Sequence, residues 1–458
     1  MISSALITTD ADVRQSVSRD ASGLELIPDA VARPSTRDEV LELLRQAVVD
    51  RVPVTAAGGQ TSTTAASLTD SGLLLSLRGV GGVLDIDTAS QSVRVGPGEL
   101  LGPLKRALAA DGWLLAPDPT SEEDCTVGGA VACNASGARS LKYGAIRSHV
   151  RGLTVALMNG DVLELRRTAL EKNTVGYAPV HDLVDWFVGS EGTLGVILEA
   201  ELALLPLPAW VIGLSIPFPA ESDALAFVIA ARESATLSPQ CLEYLDSGAL
   251  AIARAAAQDP AWATDAQAMI YTELSGGETD EPPLDRWLEL ASLHHASDDN
   301  IRVYEGEAAL RDARRLRHAV PATMHERAAP HRANGGRRIS TDWAVPYRRL
   351  GDALEASRRA VELRGLAPPV TFGHAGNGHP HQNFIARDTA ERERITDAVS
   401  ETLRAVISLG GTVAAEHGIG KIKSRWLPLQ MSGTQLAMMA AIKRELDPHN
   451  LLARGNIL

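Results

Sequence analysis

The sequence predicts an α+β fold arranged in two domains. Helical and strand-like segments follow one another without the regular alternation that builds a parallel sheet. The chain has 458 residues, more than one ordinary hydrophobic core accommodates. The run Leu205-Pro206-Leu207-Pro208 interrupts the pattern and indicates a boundary. We therefore expect domains over residues 1–208 and 209–410, followed by a C-terminal segment over residues 411–458.

The individual elements follow from periodicity. Apolar residues between Val40 and Val48 recur at helical spacing behind Ser35 or Thr36 as a cap, which predicts a helix over residues 36–50. The rest of the first domain is predicted to contain strands at 52–56, 72–77, 82–87, 92–95, 153–158 and 162–166, and helices at 100–111 and 182–188. The second domain is predicted to contain a strand at 211–216, helices at 220–235 and 307–327, and a strand pair joined by a turn within 374–381.

Composition excludes several classes of partner. The formal net charge is −13 and there is no long basic run, which argues against nucleic acid or an anionic membrane. The N-terminal residues lack the pattern of a secretory signal, and no apolar run reaches the length of a membrane span. The three cysteines have no paired spacing, which fits a reducing compartment. We expect a soluble cytoplasmic protein.

Two glycine-rich loops in the first domain suit phosphate binding. The first, Gly58-Gly59-Gln60-Thr61-Ser62, follows a predicted strand, and the second spans residues 126–137 after a proline-rich turn at 117–121. Glycine allows backbone N–H groups to approach an anion closely. Two such loops in one domain are suited to clamp a dinucleotide from both sides.

Two short segments near the C-terminus combine histidines with a carboxylate. His374 and His381 bracket a glycine-rich turn, and Glu416-His417 lies in a later glycine-rich loop. Two imidazoles and a carboxylate form a ligand set that zinc or a neighbouring transition metal accepts with open positions for substrate. The turn residues alone also suit a plain hairpin with solvated histidines. Glu416 and His417 need not point to opposite faces, so one is able to bind a metal while the other takes a proton.

The order and spacing of these motifs resemble the FAD-linked oxidases of the vanillyl-alcohol-oxidase flavin fold, specifically the D-2-hydroxyacid dehydrogenases. The resemblance extends over nearly the whole chain and includes Gly189-Ser190-Glu191-Gly192-Thr193-Leu194-Gly195 and Leu446-Asp447-Pro448. It implies a two-subdomain FAD-binding domain, an α+β substrate (cap) domain, and a C-terminal segment that packs back on the flavin domain. By the family pattern, the FAD-binding residues are Ala57, Gly58, Gly59, Gln60, Thr61, Ser62, Pro117, Asp118, Thr126, Val127, Gly128, Gly129, Asn134, Ser136, Gly137, Tyr143, Glu191, Gly192, Gly195, Val196 and Ile197.

The resemblance also implies the roles of the C-terminal residues. His374, His381 and Glu416 are expected to hold a divalent metal, zinc in the first place, with manganese, iron or cobalt as alternatives. His417 is the expected general base, and Arg317 falls where the family binds the substrate carboxylate. Arg337 and Arg338, beside a glycine pair, are alternative anion partners.

The chain departs from the family pattern at several positions. Ala57 and Gln60 replace an arginine and a glycine in the first loop, so phosphate binding there relies on backbone donors. This loop has no histidine, so FAD is expected to be non-covalent; Cys125 is a thiol that either packs or forms a thioether. His379 is a rival metal ligand. Asn456 stands where the family has a lysine near its C-terminal end.

The implied activity is oxidation of a small anionic D-2-hydroxy acid. The run Ser340 to Pro346 resembles the D-lactate dehydrogenase branch, because the D-2-hydroxyglutarate branch usually has a lysine at the position of Ser340. A separate electron acceptor is expected: an electron-transfer flavoprotein, a quinone or a cytochrome. A homodimer is left open. The alternatives are a flavin oxidase of the same fold and a flavoprotein subunit of the glycolate oxidase type.

Overall fold

The computed structural model describes residues 6–168, 170, 172–177 and 182–458. They form two compact units. Unit 1 comprises the residues up to Ser136, Gly144–Leu207 and Glu416–Leu458, and unit 2 comprises Gly137–Tyr143 and Pro208–Ala415.

The helices and strands of the described residues are numbered in chain order. The helices are α1 (Ala11–Ser16), α2 (Arg37–Asp50), α3 (Leu101–Ala110), α4 (Val127–Ala132), α5 (Ser140–Tyr143), α6 (Val184–Phe187), α7 (Glu221–Glu233), α8 (Ser247–Ala256), α9 (Leu284–Leu293), α10 (Gly306–Ala328), α11 (Leu350–Glu362), α12 (Thr389–Ser408), α13 (Gly420–Lys423), α14 (Leu427–Gln430) and α15 (Gly433–Leu446). The strands are β1 (Ile7–Thr8), β2 (Ala30–Ala32), β3 (Val54–Ala57), β4 (Leu73–Ser76), β5 (Val83–Asp87), β6 (Ser92–Val95), β7 (Trp113–Leu114), β8 (Val150–Ala156), β9 (Val162–Arg166), β10 (Val196–Ala203), β11 (Leu205–Pro206), β12 (Trp210–Phe218), β13 (Cys241–Asp246), β14 (Ala268–Gly276), β15 (Arg302–Glu305), β16 (Gly335–Ser340), β17 (Val370–His374) and β18 (His379–Asp388).

Unit 1 contains two main sheets in the part of the chain that is described. One has the order β1-β2-β4-β3, in which β1 is antiparallel to β2 and the other neighbours are parallel. The other has the antiparallel order β5-β6-β10-β8-β9. Helix α2 begins with a capping box, in which Thr36 and Glu39 bond each other's backbone N–H groups, and it buries its predicted apolar stripe. The C-terminal segment returns to β3, where Val54 N donates to Leu451 O and Ala453 N to Val54 O, both at 2.8 Å.

Strand β10 was not among the predicted elements. The sequence analysis noted only the glycine-rich motif over residues 189–195, directly after which the chain enters β10 at Val196 and runs through the middle of the five-stranded sheet. Both faces of this strand are largely buried, so its residues read as a continuous apolar run interrupted by two glutamates. The glycine-rich motif runs directly into β10, and the sequence analysis recognised only the motif.

Unit 2 is built on one antiparallel sheet with the order β15-β12-β14-β13-β17-β18-β16. Helices α8 and α10 pack on one face, where Val320 and Met324 join Phe372 in a hydrophobic core. Strands β17 and β18 form a hairpin whose turn has Gly378 at φ 67°, a left-handed conformation that favours glycine.

Most sequence-predicted elements are confirmed. The predicted helices at 36–50, 220–235 and 307–327 correspond to α2, α7 and α10, and the strand pair at 374–381 is the β17–β18 hairpin. The predicted helix at 182–188 is shorter, because only Val184–Phe187 is helical. Within the described residues, no helix combines the length and apolar composition needed to cross a membrane.

Candidate active-site residues

The first glycine-rich loop presents a row of backbone donors in unit 1. Among the hydrogen bonds formed within the described residues, none uses the N–H groups of residues 58–62. A Cβ atom on Gly58 would lie 2.2 Å from Thr126 Oγ1, and one on Gly59 would lie 2.1 Å from the backbone oxygen of Asp124. Both glycines are therefore required where the loop packs against the start of α4. Gln60 has φ 55° and turns its side chain away to bond Val17 O at 2.8 Å.

The second predicted loop surrounds α4. Thr126 caps this helix by accepting from Gly129 N at 3.3 Å, and Val127 and Gly128 are buried in its first turn. Asn134 has φ 50° and accepts from Arg147 N at 3.2 Å. The expected residues Pro117 and Asp118 lie before α4 in the chain, and Pro117 O accepts from Lys105 Nζ at 2.9 Å.

Glu191 holds a neighbouring loop of unit 1 in place. The buried Glu191 carboxylate accepts from Ile419 N at 2.5 Å and from Gly420 N at 2.7 Å. Burial raises the pKa of Glu191, against the opposing effect of these two donors. Asn456 adds bonds to Ala66 O and Glu191 O at 2.7 and 3.2 Å. Any part that Glu191 takes in cofactor binding therefore falls to its backbone, whereas its side chain fixes residues 418–420.

Glu416 and His417 lie at the start of the segment that Glu191 fixes. Glu416 Oε2 accepts from Ser136 Oγ at 3.2 Å, and Glu416 Oε1 lies 3.2 Å from His417 Nε2. The backbone oxygen of His417 accepts from Thr64 Oγ1 at 3.3 Å. Within unit 1, the structure thus brings together the first loop, Ser136, Glu191 and the Glu416–His417 pair. Gly195, Val196 and Ile197 of the predicted set form the entry to β10.

Three histidines cluster on the β17–β18 hairpin of unit 2. One ring nitrogen from each of His374, His379 and His381 lies within 4.8 Å of the others, and all three residues are buried. His374 pairs with His379 across the hairpin, and His381 follows two residues later, so all three side chains project from the same face. His379 Nε2 lies 3.1 Å from Asp342 Oδ1. His374 and His381 are the predicted metal ligands. His379, which the sequence suggested as an alternative ligand, lies beside them.

A buried glutamate orients the first of these histidines. His374 Nδ1 lies 2.6 Å from Glu243 Oε1, so the ring donates its Nδ1–H and exposes the Nε2 lone pair. Arg317, on α10, forms an ion pair with Glu243 and brings Nη2 to 3.2 Å from His374 Nε2. Burial alone would raise the pKa of Glu243, but Arg317 and His374 outweigh it and lower that pKa to about 2. A carboxylate behind a histidine is the arrangement found at many protein metal ligands.

Sequence reasoning missed Glu243 and gave Asp342 no role. Glu243 lies in the otherwise apolar strand β13, where a carboxylate flanked by buried residues is itself a signal of a functional or paired group. Its partner His374 is 131 positions away, so only the sheet order reveals the pair.

The remaining predicted residues have local roles. Gly137 and Tyr143 belong to unit 2. Gly137 precedes α5 and its N donates to Ser140 Oγ at 3.0 Å, and Tyr143 is the last residue of α5. Cys125 is 5% exposed, and burial raises the pKa of its thiol to about 11, so it is protonated at neutral pH.

Comparison with known proteins agrees with these features. Residues 28–166 match the model of an FAD binding domain, and residues 207–457 match the C-terminal domain of FAD linked oxidases. The glycolate oxidase subunit GlcD of Bacillus subtilis is 32% identical over 94% of this chain and 89% of its own length. The D-2-hydroxyglutarate dehydrogenase of Xanthomonas citri is 31% identical, and the D-lactate dehydrogenase of Anaerostipes hadrus 28%, with the same two coverages.

The fold has a counterpart among solved structures. An alkyldihydroxyacetonephosphate synthase superposes with a TM-score of 0.74, covering 98% of this chain and 83% of its own, at 18% identity. The fold is therefore of the vanillyl-alcohol-oxidase type.

These observations define the class of protein. The unbonded N–H groups of residues 58–62 fit the pyrophosphate of FAD, because they offer neutral donors to an anion at the end of a strand. The protein is an FAD-dependent oxidoreductase. The chain belongs to the FAD-linked oxidase family, in the group that includes GlcD, D-lactate dehydrogenase and D-2-hydroxyglutarate dehydrogenase.

Proposed function

We propose that the protein oxidises a D-2-hydroxy acid, with D-lactate as the simplest representative, to the corresponding 2-oxo acid. The observation that carries this proposal is the buried histidine cluster of unit 2, with Glu243 behind His374 and Arg317 beside it. An imidazole that binds a metal, a carboxylate that orients it and an arginine beside it together suit a substrate that carries a hydroxyl group next to a carboxylate.

The proposed metal ligands are His374, His381 and Glu416. His374 and His381 offer neutral nitrogen donors and Glu416 an oxygen, the mixed set that zinc, manganese, iron or cobalt accepts. The Glu243 contact fits this assignment, because it leaves His374 Nε2 with its lone pair available. A bound divalent ion supplies Lewis acidity, which lowers the pKa of a coordinated hydroxyl.

Arg317 is proposed to bind the substrate carboxylate. His374 Nε2 accepts from either Arg317 or a metal ion, but not from both. Metal binding would therefore free one guanidinium N–H of Arg317, while its ion pair with Glu243 keeps the group in position. An arginine held in this way offers a preorganised donor to a carboxylate.

His417 is proposed to take the hydroxyl proton on its imidazole ring. Bound FAD would supply the hydride acceptor for this oxidation. His417 must be neutral to act as the base, and the adjacent Glu416 carboxylate at 3.2 Å stabilises the imidazolium that forms. Residues 58–62 would hold the FAD pyrophosphate through their N–H groups, non-covalently, and Glu191 would keep the 418–420 segment fixed.

The proposed partners are a small anionic substrate and a separate electron acceptor, which is an electron-transfer flavoprotein, a quinone or a cytochrome. A cytoplasmic location and a homodimer are parts of the same proposal.

The name of the Bacillus subtilis relative favours one alternative, a flavoprotein subunit of the glycolate oxidase type. That alternative predicts that the isolated protein turns over only with a second polypeptide.

The test is anaerobic reduction of the bound flavin, followed by bleaching of its visible absorption. D- and L-2-hydroxy acids are compared with and without a chelator. Bleaching by D-acids that the chelator abolishes supports the proposal. A fully loaded flavoprotein that no 2-hydroxy acid reduces would refute it.

A further inference from the structure

A row of polar side chains crosses one face of the unit 2 sheet. Cross-strand partners project from the same face, as do residues two apart in one strand. The observed register therefore places on one face Glu273, Glu243, His374, His379, His381, Asn383, Ser340 and Arg338. Helix α10 packs on this face. Asn383, Ser340 and Arg338, at the β16 end of this row, have no role in the function proposed above.

Three of the four arginines at this face have carboxylate partners. Arg139 and Arg314 both pair with Glu273, at 3.1 and 2.6 Å, and Arg317 pairs with Glu243. Arg338 has no carboxylate partner among the described residues, and its Nη1 donates to Pro321 O at 3.0 Å. Burial lowers the pKa of Arg338, with no nearby acid to offset this effect. A half-buried cation without a counter-charge is costly unless an anion binds there.

Asn383 lies next to Arg338 in this row. It is 1% exposed, and both polar atoms of its amide lack a hydrogen-bond partner. Its cross-strand neighbour is Ser340, which lies two residues from Arg338 on the same face. Buried amides are almost always satisfied, so an unpartnered one beside an unpaired arginine indicates a ligand that supplies the missing bonds.

The spacing along α10 favours a short ligand. Arg338 contacts the backbone at Pro321, and Pro321 is one helical turn beyond Arg317. The chain of two or three carbons between the carboxylates of a small dicarboxylic acid spans such a distance.

We propose that Arg338, with Asn383 and Ser340, forms a subsite for a second carboxylate at the far end of the substrate. This inference rests on the proposed function, and it makes a dicarboxylic 2-hydroxy acid the preferred substrate class. A monocarboxylic acid such as D-lactate fills only the part of the site near Arg317.

The test compares two acids of equal chain length, D-2-hydroxyglutarate and D-2-hydroxyvalerate, in flavin reduction by the holoprotein. The wild type is expected to prefer the diacid, and Arg338→Leu is expected to lower kcat/KM for the diacid roughly 30-fold or more, through KM. The same variant leaves the monoacid nearly unchanged. Arg337→Leu is the matched control, because this residue lies on the same strand and points to the opposite face.

Three results would overturn the subsite: no diacid preference in the wild type, an equal loss for both acids in Arg338→Leu, or the same loss in Arg337→Leu. A binding titration with 2-oxoglutarate and 2-oxovalerate separates this inference from the proposed function. If 2-oxoglutarate binds in an Arg338-dependent manner but no hydroxy acid reduces the flavin, the proposed reaction is wrong and the subsite stands. If flavin is reduced but 2-oxoglutarate binds equally to the wild type and Arg338→Leu, the subsite is wrong and the reaction stands.

Discussion

Glu243 provides the sharpest test of the histidine cluster, through the substitution Glu243→Gln. The change keeps the side-chain shape but removes the charge that pairs with Arg317, which is 9% exposed. Breaking one partner of a buried ion pair costs about 3–5 kcal/mol of unfolding free energy. The change also weakens the contact that orients His374, and losses of this kind reduce metal affinity roughly 10–100-fold.

The matched control is Glu273→Gln. Glu273 lies on the same sheet face and is similarly buried, but it pairs with Arg139 and Arg314 rather than with a histidine of the cluster. Denaturant unfolding should show a loss of stability in both variants, of about 2–5 kcal/mol. Zinc titration of chelator-treated protein should show weaker binding only in Glu243→Gln. Equal zinc affinities in the two variants would refute the orienting role of Glu243.

Four further predictions concern other parts of the molecule. His417→Ala should lower turnover by roughly 10²–10⁴-fold with FAD still bound, measured by single-turnover flavin reduction; an unchanged rate would rule out His417 as the base. Glu416→Gln should lose metal with an intact fold, so elemental analysis that finds full occupancy contradicts the ligand assignment. Gly59→Ala should abolish FAD retention, because its Cβ would lie 2.1 Å from the Asp124 backbone oxygen; normal flavin content after purification would show that the loop adapts. Burial raises the pKa of Glu273, but Arg139 and Arg314 outweigh it and lower that pKa from 4.5 to about 2, so the stabilisation by Glu273 is complete above pH 4.5 and lost as the pH falls towards 2. This loss amounts to about 3 kcal/mol, and the pH profile of unfolding should be flatter by that amount in Glu273→Gln.

The sequence predicted correctly those elements whose own residues show amphipathic spacing, a helix cap or a turn. The stripe from Val40 to Ala47 with its Thr36 cap predicted α2, because amphipathic spacing and capping are properties of the segment itself. The Gly378 turn predicted the β17–β18 hairpin for the same reason. The two glycine loops were recognised because close backbone approach requires glycine, and the contacts of Gly58 and Gly59 explain that requirement.

Non-local pairings escaped sequence reasoning. Nothing near Glu243 indicates that β17 will lie beside β13, so its contact with His374 depends on the order of the seven-stranded sheet. The clamp of Glu191 on Ile419 and Gly420 joins residues separated by more than 220 positions, and a glycine-rich motif gives no hint of it. The special environment of Arg338 was also missed. The sequence shows only two adjacent arginines, and Arg338 is distinguished by its lack of a carboxylate partner among the described residues, whereas Arg314 and Arg317 form ion pairs.

The assembly of unit 1 from separated segments bears on how the protein folds during synthesis. Val54 of β3 bonds residues Leu451 and Ala453, and these emerge from the ribosome only after all of residues 208–415. While unit 2 is synthesised, the earlier part of unit 1 therefore has strand β3 without its hydrogen bonds to Leu451 and Ala453. Unpaired strand edges of this kind tend to pair with other chains. Nascent chains stalled before residue 416 should consequently depend on chaperones far more than the released protein does.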